Sequence, residues 1–143
     1  MKKMISFILI LTMVLSMGAV AYADTTEEPT QSRAVIGADL TEEQVAAVYN
    51  LFGVKRGDAV ELKVTNAEER EYLEGYVDSA IIGTRSISCV YVELLGEGAG
   101  MDVTTSNITW CTAEMYISAL ATAGVTDAKV VVAAPFEVSG TAA

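Results

Sequence analysis

The chain has 143 residues, no histidine, and 19 acidic against 9 basic side chains, for a net charge of −10. Without an imidazole, neither a Ser/His/Asp nor a Cys/His nucleophile pair can be assembled, and two cysteines are too few sulfur donors for a zinc site of the usual kind. A surface of this sign also repels nucleic acid and anionic headgroups.

The first residues are MKK, then an apolar run from Met4 to Val20, then Ala21, Tyr22 and Ala23 ahead of Asp24. A basic start, an apolar stretch and small residues before one position form the pattern a signal peptidase cuts, so residues 1–23 read as a signal peptide cleaved after Ala23. A permanent anchor needs about 20 apolar residues, and Ser6, Thr12, Ser16 and Gly18 dilute this run. No cysteine follows Ala23 to carry a lipid. Losing Lys2 and Lys3 takes the net charge from −10 to −12. The expected product is secreted or extracellular, has no membrane span, and is of a length that suits one domain.

Residues 24–34 are polar and acidic, carry Pro29, and lack any apolar period, so they read as a flexible leader with the domain beginning at residue 35. A helix follows between Leu40 and Gly53. Thr41 and Gln44 are spaced as a capping box, Leu40 and Val45 as its staple, and Val45, Val48, Tyr49 and Phe52 share one face. Gly53 supplies the left-handed stop. Ala59 to Val64 alternates as a strand with one wet face. A second helix starts at Thr65 or Asn66, where Asn66 and Glu69 repeat the capping spacing, and Gly75 marks its end. Its charges, Glu68, Glu69, Arg70, Glu71 and Glu74, read as a solvated face.

Gly83 to Trp110 holds two β-prone runs around the glycines of GEGAG and reads as a hairpin, with Val92 opposite Ile108 and Val90 opposite Trp110. That register brings Cys89 beside Cys111, within reach of a disulfide in an exported protein. A loop centred on Gly98 instead separates them, so the pairing stays open. The GEGAG loop leads into a β-prone run and not a helix, which argues against a phosphate loop. Glu97 and Asp102 are too few for calcium. Asn107, Ile108 and Thr109 match the glycosylation sequon. Thr112 caps a third helix with Ile117, Leu120 and Ala121 on one face. The last strand, Thr126 to Ala134, is so apolar that both sides must be covered, and Pro135 ends it.

In order, the segments give an α+β fold: an N-terminal helix, then a ferredoxin-like βαββαβ unit with an antiparallel or mixed four-stranded sheet. Two right-handed crossovers would place both of its helices on one face. The first helix would cover the other, unless an open edge or face docks a second copy. Ser139 to Ala143 looks like the cap and first turn of a helix that does not continue, so the domain, residues 35–143, reads as truncated at its C-terminus.

VIGADLTEEQ from Val35, VTNAEEREYLEG from Val64, IGTRSIS from Ile82, VYVELL from Val90, SNITW from Ser106 and AGVTDAKVVVAAPFEVSGTAA from Ala123 together resemble the YpuA-like family of exported Gram-positive proteins. The resemblance implies a domain of unknown function with no catalytic, cofactor-binding or metal residues to carry over. It also implies further helices beyond SGTAA, and the cysteine pair is no part of the family pattern.

Two functions are compatible with these residues. One is a non-catalytic binding or interaction module of the cell envelope or medium, whose partner would be an envelope protein or polymer. The other is a hydrolase with a Ser or Thr nucleophile and no histidine. It would draw on Thr84, Arg85 and Ser86 or on Ser139, Gly140 and Thr141, with Lys55, Lys63 or Lys129 as base. Both hydroxyl groups read more simply as a strand start and a helix cap.

Overall fold

The computed structural model describes residues 32–143; the stretch read as a signal peptide and most of that read as a leader lie outside the described residues. The chain order is β1 (Ser32–Gly37), α1 (Glu42–Phe52), β2 (Val60–Val64), α2 (Asn66–Leu73), α3 (Ser79–Ile82), β3 (Cys89–Leu94), β4 (Met101–Ile108), α4 (Ala113–Thr122) and β5 (Ala128–Val138). The five strands form one mixed sheet in the order β2-β1-β3-β5-β4. β1 is parallel to β2, and β4 is parallel to β5. β3 runs antiparallel to both of its neighbours, β1 and β5.

Helix α1 forms as its sequence dictates. Thr41 and Gln44 close the capping box, and Gly53 takes a φ of 75° to stop the helix. Val45, Val48, Tyr49 and Phe52 are buried against Ala34 and Ile36 of β1, Cys89 and Tyr91 of β3 and Ala133 of β5. Each such side chain contributes about 1.5–3 kcal/mol on leaving water. Phe52 packs on Tyr91 with ring centroids 5.8 Å apart. On the opposite face of the sheet, Val90, Val130 and Val132 pack beneath Tyr116 and Leu120 of α4. Strand β5 is thus covered on both sides, which is why Val130 to Ala134 carries no polar residue.

The hairpin expected between the two middle strands is not formed. β5 lies between β3 and β4, pairing Val92 with Val130 and Val103 with the same residue on its other edge. A fully apolar strand buries most when it is central, and that demand outweighs the short connection through GEGAG. The glycine loop instead passes across the start of β5. There the Gly100 amide donates to Asp127 Oδ1 at 2.7 Å, holding that carboxyl below its ordinary value, and the Ala128 amide donates to the Gly100 carbonyl.

The ferredoxin-like arrangement is replaced as well. The crossovers β1-α1-β2 and β4-α4-β5 start from strands that point the same way and step across the sheet in the same sense, yet their helices lie on opposite faces. One crossover is therefore left-handed, against the preference on which the expected topology rested. The added strand β1 begins at Ser32, inside the stretch read as leader. Val60, Leu62 and Leu94 on the α4 side of the sheet stay exposed, because α4 covers only the half over β4 and β5.

Strand β5 also continues to Val138, beyond Pro135. Between Ser106, paired with Ala133, and Ile108, paired with Val138, the register jumps. Asn107 sits at the jump with φ 61°, and its Nδ2 donates to the Ala134 carbonyl at 2.8 Å. Asparagine tolerates the left-handed region better than most residues. Asn107→Ala is expected to lower stability by about 1–2 kcal/mol, from backbone strain and the orphaned carbonyl. Asn107→Gly should recover the backbone part, which thermal unfolding of the two variants would separate.

A polar clasp closes the α1 to β2 connection. Tyr49 Oη donates to Glu61 Oε2 at 2.7 Å, while Arg56 donates to both Glu61 oxygens at 2.9 Å and to Glu42 at 2.6 Å. Above all the Arg56 hydrogen bonds hold the Glu61 carboxyl below its ordinary value. Its stabilisation is present above the unfolded carboxylate pKa of about 4.3 and is lost as pH falls through the lower folded value. Melting temperatures of the protein and Glu61→Gln should differ near neutral pH and converge as pH falls through the lowered folded value of the Glu61 carboxyl.

Candidate functional site

All four parallel-directed strands end at one edge of the sheet, at Gly37, Val64, Ile108 and Val138, and β3 begins there at Cys89. Connections leave this edge toward opposite faces, to α1 after β1 and to α4 after β4. In open α/β sheets, ligands sit in the crevice outside the carboxyl ends of the strands where connections diverge in this way. A cleft of about 440 Å³ lies at this edge.

Three segments build it. Ile81 to Arg85 form one wall from α3 and the turn after it, Thr109 and Trp110 follow β4, and Val138 to Ala142 follow β5. Ile87 and Ser88 approach from the start of β3, and Glu69 of α2 and Phe136 of β5 complete the lining. Trp110 keeps 39% of its surface exposed and Phe136 41%, so two aromatic rings stand partly in water beside an apolar hollow.

The tail from Ser139 to Ala143 does not start a helix here. Tyr116 Oη donates to the Gly140 carbonyl at 2.7 Å, and the Ala143 amide donates to Ser88 Oγ at 2.9 Å. Thr141 Oγ1 donates to Glu69 Oε1, and Ser139 and Thr141 share a hydrogen bond of 3.2 Å. Glu69 Oε2 accepts from Asn66 Nδ2 at 3.3 Å. Glu69 is 4% exposed, so the charge read as part of a solvated helix face is instead an inward anchor for the tail. The reason is its cap: Thr65, not Asn66, closes the capping box, with Glu68 as its partner, which leaves Asn66 free to donate to Glu69 and Glu69 free to line the cleft. Arg70 donates to the Gly83 carbonyl and to Asn66 Oδ1, tying the α3 turn to α2.

The two hydroxyl groups singled out in the sequence are brought together only in part. Thr84 and Arg85 line the cleft with Ser139, Gly140 and Thr141, but Ser86 is buried outside it, donating from Oγ to the Val64 carbonyl at 2.7 Å. None of Lys55, Lys63 and Lys129 lines the cleft. Lys63 borders a neighbouring hollow of about 290 Å³ that shares Glu69 and Thr141.

Cys89 and Cys111 are free thiols. Cys89 faces α1 and accepts from the Gly37 amide at 3.4 Å, and burial pushes its thiol up to about 11, an unreactive value. Cys111 lies after β4 beside Tyr116, its thiol likewise raised by burial. The register that would have joined them does not exist, since Cys89 pairs with Ala133. Among the described residues no group of three acidic or cysteine side chains is placed to hold a metal ion, and no helix is long and apolar enough to cross a membrane. Asn107 of the sequon spends its amide on the Ala134 carbonyl.

The fold and cleft define an α+β protein whose mixed sheet is covered by helices on both faces and opens at its carboxyl edge. The chain belongs to the DUF1002 family, a protein family of unknown function, whose profile matches residues 36–143. It is similar to the uncharacterized protein YpuA of Bacillus subtilis (strain 168), at 50% identity over 108 residues, which are 76% of this chain and 37% of that relative. The chain thus spans well under half the length of the curated relative it matches. No solved structure matches it.

Proposed function

We propose that this protein is an exported, non-catalytic binding module of the cell envelope or medium, which takes its ligand in the carboxyl-edge cleft. The observation that carries the reading is the pair of half-exposed rings, Trp110 and Phe136, at the mouth of an apolar hollow. Leaving large rings in water is unfavourable unless something else covers them, and pockets of a few hundred cubic ångströms with few polar groups are typical of ligand sites. The Thr141 hydroxyl and the Ala143 amide hold the tail in place against Glu69 and Ser88. Export is supported by the N-terminal pattern ending at Ala23.

Trp110 is the only tryptophan, so its emission reports on the cleft alone. Soluble fragments of cell envelope should shift that emission to saturation in the purified protein, less so in Phe136→Ala, and should be recovered with unchanged mass. No shift from any fraction at low or moderate salt would count against the reading. Expressed in a Gram-positive host, the protein should be found outside the cytosol with Asp24 as its first residue; retention of the uncut chain in the cytosol would contradict export.

One observation favours the hydrolase as a second reading: within the cleft Ser139 is hydrogen-bonded to Thr141, whose hydroxyl donates to the Glu69 carboxylate. Labelling by a hydroxyl-directed covalent probe, lost on Ser139→Ala or Thr141→Val, would establish it. A probe panel that labels nothing would end it.

A further inference from the structure

The charged capacity of the cleft is one-sided. Both Glu69 oxygens are occupied, by Thr141 and Asn66. The Thr109 hydroxyl donates to the Val138 carbonyl, and Ser88 accepts from the Ala143 amide. Arg70, the other guanidinium nearby, is spent on Asn66 and Gly83. Arg85 differs. It lines the cleft, is exposed, and among the described residues makes one long hydrogen bond, from Nη2 to the Asp39 carbonyl at 3.4 Å, which leaves most of its N–H donors unspent there.

A ligand that completes this site must therefore accept hydrogen bonds from a planar fork and bury an apolar body. A cation would find no unspent carboxylate in the lining. A phosphate dianion would meet the repulsion of a chain at net −10 with twice the charge of a carboxylate. We propose that the cleft takes a carboxylate on an apolar body, the carboxylate gripped by Arg85 and the body lodged between Trp110, Phe136 and Ile87. The assignment rests on the binding-module reading and adds the chemical class of the ligand. A peptide C-terminus and a free carboxylic acid share this chemistry.

Two pairs of probes test it: N-acetyl-leucyl-phenylalanine against its amide, and 3-phenylpropanoate against its amide, each titrated into the purified protein by calorimetry and Trp110 emission. Each acid of a pair that binds should bind at least about tenfold more tightly than its amide, since a charge-assisted fork is roughly twice as strong as neutral hydrogen bonds. Arg85→Gln should abolish that preference with the circular dichroism spectrum unchanged, and Arg85→Lys should keep part of it. Binding by the peptide acid points to a peptide terminus, and binding by the free acid alone to a small acid; both support the proposal. Equal binding of acid and amide, or an acid preference that survives Arg85→Gln, overturns it. If no probe binds while envelope fragments still shift Trp110, the ligand class is wrong and the binding module stands; if nothing shifts Trp110, both fall.

Discussion

Gly37→Ala is expected to destabilise the domain by about 3 kcal/mol or more, measured as a lower urea midpoint at unchanged slope. A methyl group built on Gly37 would stand 2.5 Å from the Ser86 carbonyl oxygen, 2.7 Å from its carbon and 2.8 Å from the Ile87 nitrogen. These are backbone atoms, so no rotamer change relieves the clash. Nor can the opposing segment retreat cheaply. The Ser86 amide donates to Asp39 at 2.7 Å, its hydroxyl donates to the Val64 carbonyl at 2.7 Å, and its carbonyl accepts from the Asp39 amide at 3.1 Å. This is where the ends of β1 and β2 meet the approach to β3, so the variant strains the edge that carries the cleft. Gly96→Ala is the control: among the described residues nothing lies within 4 Å of the added carbon, and a change within about 0.5 kcal/mol is expected.

Gly140→Ala should cost a similar amount, about 2–4 kcal/mol, for two separate reasons. Gly140 has a φ of 97°, where a side chain is strained. The new carbon would also lie 2.5 Å from Tyr116 Oη and 2.6 Å from Ile108 Cγ2. Those neighbours are side chains, so the expected response differs from that at Gly37: the tail lifts, and the hydrogen bond from Tyr116 to the Gly140 carbonyl opens before the sheet does. Amide exchange at Ala143, whose N–H is held by Ser88, should then accelerate while the amides of β3 and β5 stay protected. Trp110 emission should move with it, because Trp110 and the tail line the same cleft.

The parts legible in the sequence were those fixed by local chemistry. The capping box at Thr41, the left-handed stop at Gly53 and the buried face of α1 need only neighbours within one helix, and all three are found as read. The two-sided burial of β5 was legible from Val130 to Ala134 for the same reason. What could not be read was long-range. Nothing near Gly96 to Gly100 says that a strand from residues 128–138 will separate the strands on either side of the loop, because the gain is the burial of β5 and is recorded in β5. Handedness misled in the same way, since the rule for crossovers is a preference that this sheet breaks once.

The cleft was harder still. Thr84, Arg85, Ser139 and Thr141 stood out as hydroxyl-bearing or charged clusters, but only the three-dimensional edge makes them one site. Glu69 was hidden among the charges of its helix; the usable signal was Thr65 with Glu68, a capping box that leaves Asn66 free to donate to Glu69 and Glu69 free to line the cleft. Trp110 looked like the end of a hairpin strand, whereas β4 stops at Ile108 and leaves the ring at the mouth of the cleft.

The carboxyl-edge cleft depends on β5 lying between β3 and β4, since that order sends the chain ends of three segments to one side of the sheet. Nuclear Overhauser contacts between backbone α-protons in labelled protein measure it directly. The account predicts cross-strand contacts linking β3 to β5 in the register that sets Val92 beside Val130, with none between β3 and β4. Contacts joining Val92 to Ile108 would mean a simple hairpin, and with it the loss of the cleft.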